Sequence, residues 1–312
     1  SGNRNGNGNG SVIRFRRIQL SGSPNNSPSV RNDSAKNTTA TSNQSFDHDG
    51  SKSTGNNRFS RNERWLEEAT ARTLDPSRTP LGSLTEHDVV SITKLMTAWS
   101  RRKSVEAALQ VELLLKRIVD DLKAGNMDVY VSTKIYTVAI EAWGKSDQAA
   151  GAERAQSIHD TLVRTYQQTG DKRLRPTAKS YNTLLLAWAK SKSKSKSSIP
   201  STNAVRGAER VLNSMLASES SVRPDSVTVS ILLNLYARNG SVAKAETLVD
   251  STGALGVPKT GYVYTALQEV YVRSSRRDAP ERTMEVLREM LLAADNNSNN
   301  SNNSNNNSNT KR

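Results

Sequence analysis

Five aromatic residues occupy the same place in a recurring sequence pattern, and that recurrence restricts the possible fold more than any other feature. Trp99, Trp143, Trp188, Tyr236 and Tyr271 are each followed by a small residue or Val and then a base, giving SR, GK, AK, AR and VR. The clearest copy is YNTLLLAWAK at 181–190. ITKLMTAWSR at 92–101 aligns with YTVAIEAWGK at 136–145 without a gap. The aromatics are spaced by 44, 45, 48 and 35 residues, so the shortest interval sets the unit length and the longer ones carry insertions. Periods in this range are the signature of stacked supersecondary units.

The apolar pattern gives each unit two helices. Val89, Ile92, Leu95, Met96 and Trp99 recur at helical spacing. A second helix from about Ser104 places Leu114, Leu115, Ile118 and Leu122 on one face and ends near Gly125, a good C-cap residue. The second unit begins near Thr133, continues in GAERAQSIHDTL at 151–162, and closes at Arg175-Pro176. The third joins YNTLLLAWAK to GAERVLNSML at 207–216, where Ala208, Val211, Leu212 and Met215 form the stripe, and closes at Arg223-Pro224-Asp225. The fourth starts at Ser226 and turns at Asn239-Gly240. The fifth runs from Gly261 to MEVLREMLL at 284–292, with Pro280 in the first turn of its second helix, where a missing amide hydrogen is tolerated. A short helix after Asn62, carrying Trp65, Leu66, Ala69 and Leu74 and stopped at Asp75-Pro76, reads as a cap.

A hairpin of this kind cannot bury its apolar faces alone, whereas stacked neighbours bury a continuous seam. The expected fold class is all-α, an α-solenoid of about five helical-hairpin repeats with disordered N- and C-terminal segments. The expected divisions are a basic leader 1–60, a capping helix and linker 61–88, a repeat array 89–294 and a tail 295–312. The array divides as 89–132, 133–177, 178–225, 226–260 and 261–294. The tryptophans and Tyr236 that end each first helix read as core packing rather than base-stacking platforms.

Composition bounds what the ends do and what the chain binds. Residues 1–60 are mostly Ser, Asn, Gly and Thr, and 295–310 are nearly all Asn and Ser. Such segments lack the apolar area that offsets an ordering cost of roughly 1–2 kcal/mol per residue. The segment SKSKSKSSIPSTN at 191–203 reads as an inserted loop, and Lys190, Lys192, Lys194 and Lys196 make it either a phosphate contact or simply a solvated run. A net charge of +14 favours an anionic partner, with nucleic acid foremost, although acids are also plentiful between 61 and 294. The chain has no cysteine, which excludes disulfides, thiol nucleophiles and Cys-ligated metals. The longest apolar run, Leu184–Ala189, falls far short of the roughly 20 residues that span a bilayer, so no membrane insertion is expected. SVIRFRRIQL at 11–20, amid Arg-rich, Ser-rich and acid-poor sequence, has the composition of an organelle transit peptide; a plain disordered basic leader is the alternative. The chain opens on Ser1 rather than Met, which leaves open both a full chain and a fragment of a longer organellar one.

With Tyr181-Asn182-Thr183-Leu184-Leu185, a second helix containing Ala208 and Met215, and the Pro224-Asp225 ending, the third unit resembles the pentatricopeptide repeat family. The fourth unit, 226–260, has that family's 35-residue length. The resemblance covers about 89–292. It implies sequence-selective binding of single-stranded RNA in a mitochondrion or plastid, roughly one base per repeat, in RNA processing, stability or translation. Repeat-by-repeat reading of unpaired RNA is an established recognition mode.

By the family's pattern, base-reading pairs fall on Thr93 with Ser132, Thr137 with Thr177, Asn182 with Asp225, and Ser230 with Thr260, while Thr265 opens a fifth. Asn with Asp implies uridine at the third repeat, the carboxylate acting through water. The base-sandwich position is Val90, Lys134, Lys179, Val227 and Tyr262, where the two lysines depart from the usual small aliphatic and suggest phosphate contact. The alternative is a tetratricopeptide-like scaffold for protein partners.

Catalysis is not expected. His48, His87 and His159 are far apart, with His159 beside Asp160 reading as a surface pair, and there is no P-loop, metal-spacing motif, nucleophile elbow or dinucleotide fingerprint. No cofactor, metal or oligomeric state is implied.

Overall fold

Reciprocal capping sets where several helices begin. Thr85 and Asp88, Thr177 and Ser180, and Asp225 and Thr228 each form a closed box in which one side chain accepts the other residue's backbone N–H and the bond is returned. Two otherwise unpaired amide groups are satisfied in each case. At the opposite ends, Gly125 and Gly240 take left-handed backbone angles, with φ of 92° and 66°, which a side chain would strain.

The computed structural model describes residues 54–146, 148, 150–191, 202–217 and 222–308, and within them it is all-helical with no strand. The helices are α1 (Thr54–Leu74), α2 (Glu86–Ser100), α3 (Val105–Lys123), α4 (Thr133–Lys145), α5 (Gly151–Thr169), α6 (Ala178–Lys190), α7 (Thr202–Leu216), α8 (Ser226–Arg238), α9 (Val242–Ser251), α10 (Gly261–Val272) and α11 (Ala279–Ser308). A short 3-10 turn, Lys172–Leu174, precedes α6.

From α2 onward the helices pack in consecutive pairs: α2 with α3, α4 with α5, α6 with α7, α8 with α9, and α10 with α11. The first members also touch in succession, from α2 through α4, α6 and α8 to α10. Helix α1 lies against α2 and α3. Ile92, Met96, Ile118, Leu162, Leu184 and Leu232 are among the side chains buried almost completely along this seam. Each contributes about 1.5–3 kcal/mol relative to exposure.

The five in-register aromatics join the pairs. Each is buried, and each donates its one polar hydrogen to a helix that precedes it. Trp99 Nε1 donates to Thr70 on α1 at 2.8 Å, Trp143 to Glu112 on α3 at 2.9 Å, and Trp188 to Gln156 on α5 at 3.0 Å. Tyr236 OH donates to Glu209 on α7 at 3.3 Å, and Tyr271 OH to Glu246 on α9 at 3.1 Å. The three glutamates each hold a cation as well, Arg154, Lys244 and Arg276 respectively. Burial, followed by the Glu246 charge, pushes the Tyr271 phenol up to about 12, so it stays a donor. The core-packing role expected for the tryptophans and Tyr236 holds, with a polar bond added.

Several boundaries differ from the sequence pattern. Helix α1 starts at Thr54, inside the expected leader, and α7 starts at Thr202, inside the expected loop. Helix α11 runs to Ser308 through the Asn/Ser tract expected to be disordered. Extending an existing helix adds one hydrogen bond per residue and needs no new nucleus, so low-propensity residues can follow a packed segment. The basic stretch 11–20 and Lys192, Lys194 and Lys196 lie outside the described residues.

Close approach requires glycine at Gly144 against Ala187, at Gly151 against the Trp143 carbonyl and, most tightly, at Gly207. A Cβ added to Gly207 on α7 would stand 2.3 Å from the Trp188 ring. In an exposed helix, Gly→Ala stabilises by about 1 kcal/mol through propensity. Here the clash should reverse the sign, and Gly207→Ala is expected to destabilise the protein by about 1–3 kcal/mol in urea unfolding.

Candidate nucleic-acid interface

The positions that precede each aromatic by nine residues line up on the first turns of the first helices. Lys134, Lys179, Val227 and Tyr262 are the second residues of α4, α6, α8 and α10, and Val90 is the fifth residue of the longer α2. All five are exposed, with Val227 at 53% and Tyr262 at 82%. Val90, Val227 and Tyr262 are large apolar side chains left in water, and Lys134 and Lys179 share their register.

Of the predicted pairs, the structure brings one together by side-chain bonds. Asn182 on α6 reaches Asp225 at the start of α8, its Nδ2 donating to the carboxylate oxygens at 3.1 and 3.3 Å. The bond between the two side chains is direct. Thr228 completes the group: its hydroxyl donates toward Asn182 Oδ1 at 2.7 Å and its backbone N–H donates to Asp225 at 2.8 Å. Asp225 is an acceptor only when ionised, which fixes the amide orientation with nitrogen toward the carboxylate. Partial burial opposes that charge, but the Thr228 backbone and hydroxyl and the Asn182 amide outweigh it and hold the carboxyl below its usual range. Asn182 is itself 8% exposed.

The other predicted first members bond within their own helices. Thr93, Thr137, Ser230 and Thr265 each donate their hydroxyl proton to the carbonyl four residues earlier, at 2.7–2.8 Å. A hydroxyl has one proton, so each is left with acceptor capacity alone. Thr137 is buried to about the same degree as Asn182, 7% against 8% exposed. Among the second members, Thr177 caps α6 through its own oxygen, while Ser132 and Thr260 stand at N-cap positions without a capping bond. The Thr260 hydroxyl is buried without a partner among the described residues.

The sequence reading missed Thr228, which Asp225 followed three residues later by a hydroxyl side chain announces as a capping pair. It also placed His159 on the surface with Asp160. His159 is 2% exposed, packed edge-on against Tyr181 at 4.5 Å between ring centres, with Ser180 Oγ at 3.5 Å. It stands 44 residues after Leu115, the same interval as between Trp99 and Trp143, and fills an equivalent core place.

No group of His, Asp and Glu among the described residues is arranged to hold a metal. No helix among them is long and apolar enough to cross a membrane. No protein-family model and no curated protein matches the sequence.

Burial lowers the pKa of His159 to about 4, against a smaller upward pull from Asp160. The unfolded chain therefore takes up its proton first, near pH 6.5, and stability falls as pH drops from about 6.5 to about 4. Thermal and urea melts should lose about 2 kcal/mol between about pH 7 and pH 5 from this group. His159→Leu should flatten that part of the profile.

Proposed function

We propose that this protein is a non-catalytic adaptor for single-stranded RNA, built as an α-solenoid of five helical-hairpin repeats of the pentatricopeptide type. The observation that carries this reading is the Asn182–Asp225 bond between consecutive first helices, at the positions where the resemblance puts a base-reading pair. Exposed Lys179 and Val227 occupy the sandwich position on the same two helices. In this reading a base edge enters between those side chains and meets the spare N–H and lone pair of the Asn182 amide. Lys134 and Lys179 face the phosphates.

The selectivity proposed is narrow. Uridine is read at the third repeat, while hydroxyls that have given their proton to their own helix discriminate weakly elsewhere. Stacking contributes on the order of 1–3 kcal/mol per base in single-strand binding. With about four phosphates neutralised, log K should fall with log salt at a slope of about −3. The site of action proposed is a mitochondrial or plastid transcript, supported by the basic, Ser-rich and acid-poor sequence around 11–20.

A protein-binding scaffold is the second reading, favoured by the fact that one of the four complete pairs is joined. The two separate in a selection of the full chain against random single-stranded RNA. The RNA reading expects enrichment of a short motif with one fixed U, lost in Asn182→Ala and in Asp225→Ala. Absence of binding at low salt sinks it and leaves the scaffold.

A further inference from the structure

We infer that Thr228 is a positioning residue for base selection, acting wholly through Asn182; the inference rests on the RNA reading above. Thr228 is 0% exposed, so it cannot itself meet a ligand. Its hydroxyl nevertheless sits at the centre of the bonds that orient the side-chain amide of Asn182, which keeps 8% exposure. The oxygen accepts the Asp225 N–H at 3.1 Å, and its proton lies between Asn182 Oδ1 at 2.7 Å and Asp225 Oδ1 at 2.8 Å. Asp225 has other donors in the Thr228 N–H and the Asn182 amide, so the carboxylate is satisfied without the hydroxyl.

Asn182 differs in what it depends on. An amide held by one bond pivots about that bond; an amide held at both its nitrogen and its oxygen is fixed in one plane. Asp225 supplies the first anchor and Thr228 the second. What remains for a ligand is one N–H and one oxygen lone pair, side by side and in a set direction. A donor and an acceptor in fixed order distinguish one base edge from another, whereas a pivoting amide accommodates several. The junction between α6 and α8 is distinctive in this respect. At the same register on α6 the hydroxyl of Ser180 donates to the Thr177 carbonyl of its own helix, and the corresponding residues of α4 and α10 are Ile135 and Val263, which have no hydroxyl.

The test is the random-RNA selection repeated with Thr228→Val and Thr228→Ser on the full chain, beside wild type and Asn182→Ala. Thermal melts confirm that each variant is folded at the assay temperature. Thr228→Val keeps the shape and deletes the hydroxyl; its preference at the single selected position should fall about tenfold, the factor that one neutral hydrogen bond is worth. Affinity for RNA lacking the selected base should stay within about twofold of wild type. Thr228→Ser should restore the preference, which a role limited to packing the threonine methyl would not do. If Thr228→Val does not fold, Thr228→Ala takes its place with the same expectation.

A folded Thr228→Val protein with wild-type preference overturns the inference and leaves the RNA reading standing. So does a Thr228→Ser protein that fails to recover it. Wild-type protein that binds RNA with no preference, unchanged by Asn182→Ala, removes base reading at this junction. Wild-type protein that binds no RNA removes both readings together.

Discussion

The structure depends on a buried aromatic donor that needs an acceptor from another helix. An indole or phenol carries much of its surface as hydrocarbon and one polar hydrogen that is costly to bury unpaired. Placed at the end of a first helix, it fills the seam and must find its partner on a helix that precedes it. Trp143 finds Glu112 and Trp188 finds Gln156, so the same ring that contributes apolar burial also fixes how successive pairs sit. Where the acceptor is a carboxylate, a cation from the next segment neutralises it, as Arg154 does for Glu112 and Lys244 for Glu209. Gly207 belongs to the same arrangement, since only the absence of a side chain lets α7 approach the Trp188 ring.

That packing holds consecutive first helices side by side, and the candidate site is a consequence of their contact. Asn182 and Asp225 are 43 residues apart in sequence and meet because α6 and α8 touch. The N-terminal turns of these helices carry both the capping groups and the exposed side chains, so a residue that caps one helix can also bond its neighbour. Asp225 has both roles: it accepts from the backbone of α8 and from the side chain of α6. The hydroxyl residues at corresponding places illustrate the opposite outcome. A threonine or serine inside a helix can always give its proton to the carbonyl one turn back, and Thr93, Thr137, Ser230 and Thr265 all do. The longer, two-ended amide of Asn182 spans to the next helix instead.

Much of this was legible in the residues. The aromatic register, the helical spacing of Val89 to Trp99, and the Asn239-Gly240 turn identify the helices and most of their ends. The juxtaposition of Asn182 and Asp225 was legible from resemblance, and the hydroxyl of Thr228 that bonds both was not, because it lies outside the pair that the resemblance names. His159 escaped because a histidine beside an aspartate looks the same on a surface as in a core; its place in the stripe, 44 residues after Leu115, was the available signal. The helix starts at Thr54 and Thr202 lie in polar sequence with no apolar periodicity to mark them. The helical path to Ser308 has no such mark either, since Asn and Ser carry weak helix propensity.

Photocrosslinking of a short RNA carrying 4-thiouridine at the selected position, followed by peptide mapping, tests the central claim most directly. The account predicts crosslinks to peptides containing 179–182 and 225–228, at the first turns of α6 and α8. Crosslinks confined to the second helices α3, α5 and α7, or no crosslink at a concentration where the RNA is bound, would contradict it.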